Sequence, residues 1–338
     1  MDWNFGNEIS MYSNIYGILY FYLADEILER FGGEGEACAR KATTEYGHFR
    51  GGLLCRDHKK KGYEINLKTF QAHYDLPCDE RSKKSPKEQI APGETRSQTY
   101  TCQFSDIWKY LKGEEMSACS LIGRIYCEQF HPAMWEGYDS RLIVDLETFL
   151  AKGDDCCRFH TVTAGEPRDI ACYMPDSVDD YDWRFEDKME VMANICAIEY
   201  FFMAKEAIAR FGEKGEEAIR AAIRKYGECR GKLLAQYQQS NGVEPSLENL
   251  FAHYDIKREA GRYHVNGQNV TVKGDCCRFK EICEILENAP EGGNSKIAAI
   301  YCHEFYPGLL KGYRKELGCA EVRASYAFGD GECSIAVK

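Results

Sequence analysis

The 338-residue sequence lacks an apolar stretch long enough to cross a bilayer. The longest charge-free run, residues 9–24, spans sixteen residues and carries Ser13, Asn14 and four tyrosines. A spanning helix needs about 20 apolar residues. Asp2 and Glu8 precede the run, so the basic region of a secretion signal is missing as well. Positive charge is in deficit: 43 Lys and Arg face 54 Asp and Glu, a net charge of −11. That balance suits a phosphate backbone poorly and removes nucleic acid as the expected partner. No CxxC occurs, which excludes zinc ribbons and thioredoxin-like redox motifs. GxSxG, HExxH and the kinase set are absent too. The GEG of residues 33–35 lacks the preceding strand and the Lys-Ser/Thr of a phosphate loop. The expectation is a cytoplasmic protein with no membrane, no nucleic acid and no cofactor; an oligomer stays open.

Cysteine, by contrast, is abundant. Seventeen occur, an odd number, with no secretion signal. Reduced, mostly buried thiols are the plain reading.

The chain repeats itself. Residues 11–75 align with 191–255 at a constant offset of 180, and 27 of 65 positions are identical. The match resumes as IYCEQFHP (125–132) against IYCHEFYP (300–307), TCQF (101–104) against CCRF (276–279), and GDDCCRF (153–159) against GDGECSI (329–335). Missing such a repeat would misjudge the fold. The division expected is a first repeat over 1–165, a linker over 166–187 and a second repeat over 188–338.

Apolar spacing predicts helices over 13–31 and 195–208, with Gly32 and Gly212 as stops, then over 35–56 and 215–236. Glycines 47, 51, 227 and 231 on the second pair point to close approach of a helix or a ligand, or to packing of the two halves. A short helix fits 67–73. Residues 117–130 and 295–305 read as helices ended by Pro132 and Pro307. Residues 78–98 read as a mobile loop. Residues 141–163 and 320–337 each read as a hairpin. The fold class is therefore α+β. Two homologous halves, each a helical part followed by a small antiparallel sheet, pack as a pseudo-two-fold intramolecular dimer.

Duplication filters the cysteines. Cys102 aligns with Cys277, Cys127 with Cys302, and Cys157 with Cys333; the other eleven have no cysteine partner. A nucleophilic thiol needs a cation, an imidazole or a helix N-terminus beside it. The candidate helpers are His73 and His253, the histidines kept in both AHYD blocks, with Arg158 and Arg278. The same thiols could instead bind zinc or copper(I), with His303 as a fourth ligand in one half, or simply pack. The vicinal pairs 156–157 and 276–277 fit alternating strand positions. AHYD could hold a base with its orienting Asp, or a helix-end histidine beside a solvated Asp75 or Asp255.

The segment FGEKGEEAIRAAIRKYGECRG (211–231), the pairs Tyr126-Cys127 and Tyr301-Cys302, and GDDCCRF (153–159) carry a resemblance. Together they resemble the L-2-amino-thiazoline-4-carboxylic acid hydrolase family, here as a tandem member. The resemblance implies hydrolysis of a C–N bond in a small heterocycle of the cyclic amidine or thiazoline type. Either a thiolate attacks the amidine carbon, or a Cys, His or carboxylate activates water. Cys127 or Cys302 is the favoured thiol, followed by Cys102, Cys277, Cys157 and Cys333. The family's pattern commonly has an acidic residue three positions after the YC cysteine; here Phe130 and Phe305 stand there, with His131 and Tyr306 next. The reading from another class is a non-catalytic binder of a soft metal or a thiol-reactive ligand.

Overall fold

The computed structural model describes residues 1–113, 116–256, 261–272, 277–288, 295–318, 320–330 and 332–338. Helix α1 (Glu8–Lys60) starts under Asn7, whose side chain accepts from the Ser10 N–H. It breaks at Gly32, with φ 53° and ψ −127°. Gly212, with φ 59° and ψ −132°, separates α5 (Lys188–Phe211) from α6 (Glu213–Ser240). Both glycines stop a helix in a backbone region that side chains avoid, and the next helix starts at once.

The first half continues through α2 (Leu67–Ala72), β1 (Glu88–Ala91), β2 (Glu94–Thr99), α3 (Gln103–Lys112), α4 (Met116–Tyr138), β3 (Leu142–Thr148) and β4 (Cys157–Thr163). The second continues through α7 (Leu247–Ala252), β5 (Tyr263–Asn266), β6 (Asn269–Val272), α8 (Arg278–Glu287), α9 (Lys296–Tyr313), β7 (Ala320–Ala324) and β8 (Cys333–Val337). The two four-stranded sheets share one topology, β1-β2-β4-β3 and β5-β6-β8-β7, antiparallel throughout. The molecule is thus α+β with two similar halves.

Two expectations are corrected. Residues 78–98 are not just a loop: β1 and β2 form a hairpin there, and β2 pairs with β4 from Glu94–Val162 to Thr99–Cys157. The ladder satisfies the backbone groups of a strand whose side chains, ETRSQT, show no apolar face. Pro132 and Pro307 do not end their helices, which run on to Tyr138 and Tyr313. Tertiary packing overrides the proline. A Cβ on Gly51 would run into the Met134 carbonyl and the Tyr138 amide, and one on Gly231 into the Leu309 carbonyl and the Tyr313 amide. The glycine faces therefore serve close helix–helix contact inside each half.

Every residue from Ser10 to Phe21 is buried, which explains the long charge-free run as the central layer of the protein. Phe31 stacks on its own counterpart Phe211 at 3.8 Å. Glu26 pairs with Lys225, and Lys41 with Glu206 at 2.6 Å. The Phe31–Phe211 contact joins equivalent positions, and the equivalent Glu26 and Glu206 each reach a lysine of the other half, as in an isologous, two-fold-like interface. The segment 166–187 is pinned to the second half: Ser177 Oγ donates to the Ile285 carbonyl at 2.6 Å, and Asn194 Nδ2 to the Trp183 carbonyl at 2.9 Å. Among the described residues, no helix is long and apolar enough to cross a membrane.

Candidate active site

Three elements bring one cysteine trio together. Cys102 is the residue before the first turn of α3, Cys127 lies on α4, and Cys157 opens β4. All three line one cavity of about 350 Å³. Cys277, Cys302 and Cys333 hold the matching places before α8, on α9 and at the start of β8, around a cavity of about 90 Å³.

Burial dominates the thiols. It pushes Cys127 well up, and the neighbouring Cys102 and Cys157 add to the effect. Burial pushes Cys157 up to about 12, although the Leu150 N–H donates to its Sγ at 3.4 Å. Cys102 is also raised by burial, but the Ser105 and Phe104 N–H groups at the start of α3 pull it back in part. Cys302 is raised by its hydrogen bond with Cys277 and then by burial, and Cys333 by burial. The lowered pKa of a poised nucleophile is therefore not a feature of Cys127 or Cys302. Of the first trio, only Cys102 sits at a helix N-terminus and is not fully enclosed.

Three of the four expected helpers are placed elsewhere. His73 and His253 are exposed residues just past α2 and α7, and neither lines either of these two cavities. The ring of His73 stacks on Tyr63 at 4.7 Å. Arg158 is exposed, as its strand position after Cys157 dictates. Arg278 does line the second cavity, and it pairs with Glu281 at 3.0 Å and with Glu190. His303 lines neither cavity. Cys156 and Cys157 are both buried rather than split between two faces; Cys276 lies outside the described residues. Among the described residues, no group of three or more His, Cys, Asp or Glu is arranged to hold a metal.

The aspartates of AHYD have a different task. Asp75 accepts from Arg50 Nη2 at 2.7 Å and Nε at 2.8 Å; Asp255 accepts from Arg230 at 2.7 and 3.1 Å. Each guanidinium lies over a phenylalanine ring, Phe130 or Phe305, with 5.0 Å to the centroid. These arginines, identical in both copies, were missed in the sequence; their signal was the shared CRG/FRG and AHYD blocks.

Polar groups distinguish the two cavities. Ser105 Oγ, His131 Nδ1 and Trp135 Nε1 line the first, sealed from solvent and without a hydrogen-bond partner. Burial, helped by Lys84 and Arg50, holds the His131 imidazole down to about 3, so it is neutral. Lys84 and Lys87 are exposed residues at the edge of the same cavity. The aligned positions in the second half are Lys280, Tyr306 and Leu310. There, the Tyr306 hydroxyl meets that of Tyr263 at 3.4 Å, and Tyr301 stacks on Phe279 at 3.7 Å, which narrows the space. Unpaired buried polar groups are costly, and among the described residues three of them gather at the first cavity.

Residues 11–161 match a protein-family model described as L-2-amino-thiazoline-4-carboxylic acid hydrolase. The matched span contains Cys102, Cys127 and Cys157, and stops before the second half. No curated protein and no solved structure matches the chain.

Proposed function

We propose, from the premise that the first half belongs to the L-2-amino-thiazoline-4-carboxylic acid hydrolase family, that its cavity hydrolyses a small heterocycle of the cyclic amidine or thiazoline type. The observation that carries this reading is the meeting of three thiols with three unpaired polar atoms in one cavity, with two lysines at its edge. Lys84 and Lys87 suit a substrate carboxylate. Ser105, His131 and Trp135 suit the heteroatoms of a ring. His131 is too weak a base to ionise a thiol, and serves as a hydrogen-bond partner.

Cys102 is the proposed nucleophile. A protonated amidine beside it, together with the α3 N-terminus, favours the thiolate that burial disfavours. Its sulfur bonds to the amidine carbon, the ring C–N bond breaks, and the leaving nitrogen takes a proton. Water then adds to the same carbon and expels Cys102 as a thiol, so one water is consumed. Breaking C–N leaves the substrate sulfur bonded to carbon and frees no thiol.

The test is turnover of 2-amino-thiazoline-4-carboxylate, followed by amine and thiol titration of the products. Wild type should release an amine. Cys102→Ala should lose activity by about 100-fold or more, and Cys277→Ala should keep it. Release of one thiol per turnover would reassign the broken bond to C–S. No turnover by the wild type, or full activity in Cys102→Ala, would overturn the assignment. A soft-metal reading has no support in the arrangement of the described side chains.

A further inference from the structure

Behind the first cavity stands a buried carboxyl that belongs to the second half. Glu199 lies on α5 and is 1% exposed, and neither of its oxygens makes a hydrogen bond of ordinary geometry. Burial raises its pKa well above the usual carboxylate range; the Tyr16 hydroxyl, which faces it, and Arg50 offset this only in part. The titratable groups around it are Tyr16, Tyr20, Tyr46 and Arg50 of α1, Tyr126 of α4, and Cys196 of α5.

Between Glu199 and the cavity the phenols are linked. The Tyr16 hydroxyl is 2.6 Å from that of Tyr126 and donates to that of Tyr46 at 3.1 Å. Tyr46 accepts from Arg50 Nη1 at 2.9 Å. Tyr126 lines the cavity, next in sequence to Cys127. A contacting pair of phenols thus stands between the carboxyl of one half and a residue that lines the cavity of the other. The path exists in one direction only. At the position of Tyr16 the second half has Cys196, and at the position of Glu199 the first half has Leu19.

We propose that Glu199 is the proton reserve of the first cavity, lent by the second half and connected through Tyr16 and Tyr126. This rests on the hydrolase reading for its use in turnover. The Tyr16 hydroxyl turns its hydrogen from Tyr46 to Tyr126; the carboxyl hydrogen then passes to Tyr16, the Tyr16 hydrogen to Tyr126, and the Tyr126 hydrogen to the leaving nitrogen in the cavity. The attacking water releases one proton, and the reverse shift returns it to Glu199. No proton is gained or lost over a cycle. Glu199 touches no substrate and acts as a positioning residue for the proton on Tyr126. The second half is then part of the site.

The test compares wild type with Glu199→Gln and Glu199→Leu, the latter copying Leu19. Circular dichroism first establishes that each variant folds. The kcat of both should fall by about 100-fold or more, the range of a lost general acid, with KM unchanged and the alkaline limb of the pH–rate profile altered. Infrared difference spectra should show the carbonyl band of a protonated carboxyl in wild type and its loss in both variants. Wild-type kcat and pH profile in Glu199→Gln, or no protonated carboxyl band in wild type, would overturn the proposal. If the wild type hydrolyses no thiazoline, the hydrolase reading fails on its own. The proton path is then read from the pH dependence of iodoacetamide labelling at Cys102 and Cys127. A different pH course in Glu199→Gln supports it, and the same course overturns it.

Discussion

Removing Asp75 strands a guanidinium. The Arg50 side chain is 1% exposed and that of Asp75 2%, and two hydrogen bonds of 2.7 and 2.8 Å join them. In Asp75→Ala, Arg50 keeps its bond to the Tyr46 hydroxyl and its place over the Phe130 ring, but its charge has no counter-ion. Breaking a sealed pair from one side costs about 3–5 kcal/mol. At about 2–4 °C per kcal/mol for a unit the size of one half, melting should fall by roughly 6–20 °C. Asp255→Ala should cost a similar amount, since Arg230 and Asp255 are 4% and 3% exposed. The double variant Arg50→Met/Asp75→Leu removes both charges and should recover to within about 1 kcal/mol of wild type, because a buried ion pair is often no better than apolar residues of its size. The assay is urea and thermal unfolding followed by circular dichroism at neutral pH. A single-variant cost under about 1 kcal/mol, or a double variant worse than Asp75→Ala, would refute the argument that the pair is sealed and mutually required.

Two further outcomes follow from the packing and the charge distribution. Gly51→Ala and Gly231→Ala place a methyl group against the backbone of α4 and α9, so the helices must separate; each should destabilise by about 1–3 kcal/mol in urea, although alanine is the better helix former, and a gain in stability would contradict the contact. Glu199→Leu should flatten the pH dependence of stability. Unfolded Glu199 ionises above about pH 4.3 whereas the folded group keeps its proton, so its contribution is fully present below that pH and is lost as pH rises, by about 1.4 kcal/mol per pH unit, until the raised folded pKa is reached. Urea titrations between pH 4 and 8 read this, and parallel curves for wild type and variant would refute it.

The frame was largely legible in the sequence. The 180-residue offset, the paired glycine breaks and the GDDCC hairpin each rest on local chemistry that the structure repeats. What was illegible has physical reasons. Strand β2 carries polar side chains on both faces, so it has no period to read, although Pro92-Gly93 and Asn266-Gly267 are turn signals that mark both hairpins. The helices continue past Pro132 and Pro307 because contacts with α1 and α6, remote in sequence, hold them. His73 looked like a base because it precedes Asp75 by two residues; that Asp turns inward to Arg50, and the histidine is left at the surface. The three thiols come from a helix start, a helix middle and a strand start, and only the fold brings them together.

The duplication carries two kinds of information. Positions identical in both copies include the frame, namely Arg50 and Arg230 with their aspartates and the glycines under the helix crossings, and also the six cysteines. Because the cysteines are kept around both cavities, their retention alone does not argue for catalysis; in the second half they line a narrow space beside stacked aromatics. Positions that differ are where the proposed site parts from its counterpart. His131 against Tyr306, Trp135 against Leu310, Ser105 against Lys280, Tyr16 against Cys196 and Leu19 against Glu199 all load one side. The first four put unpaired or connecting polar groups at the first cavity, and the fifth adds a carboxyl from across the interface. A protein whose halves merely stabilised each other would have no reason to bury an unpaired carboxyl between them, since leucine fills the equivalent place at no electrostatic cost.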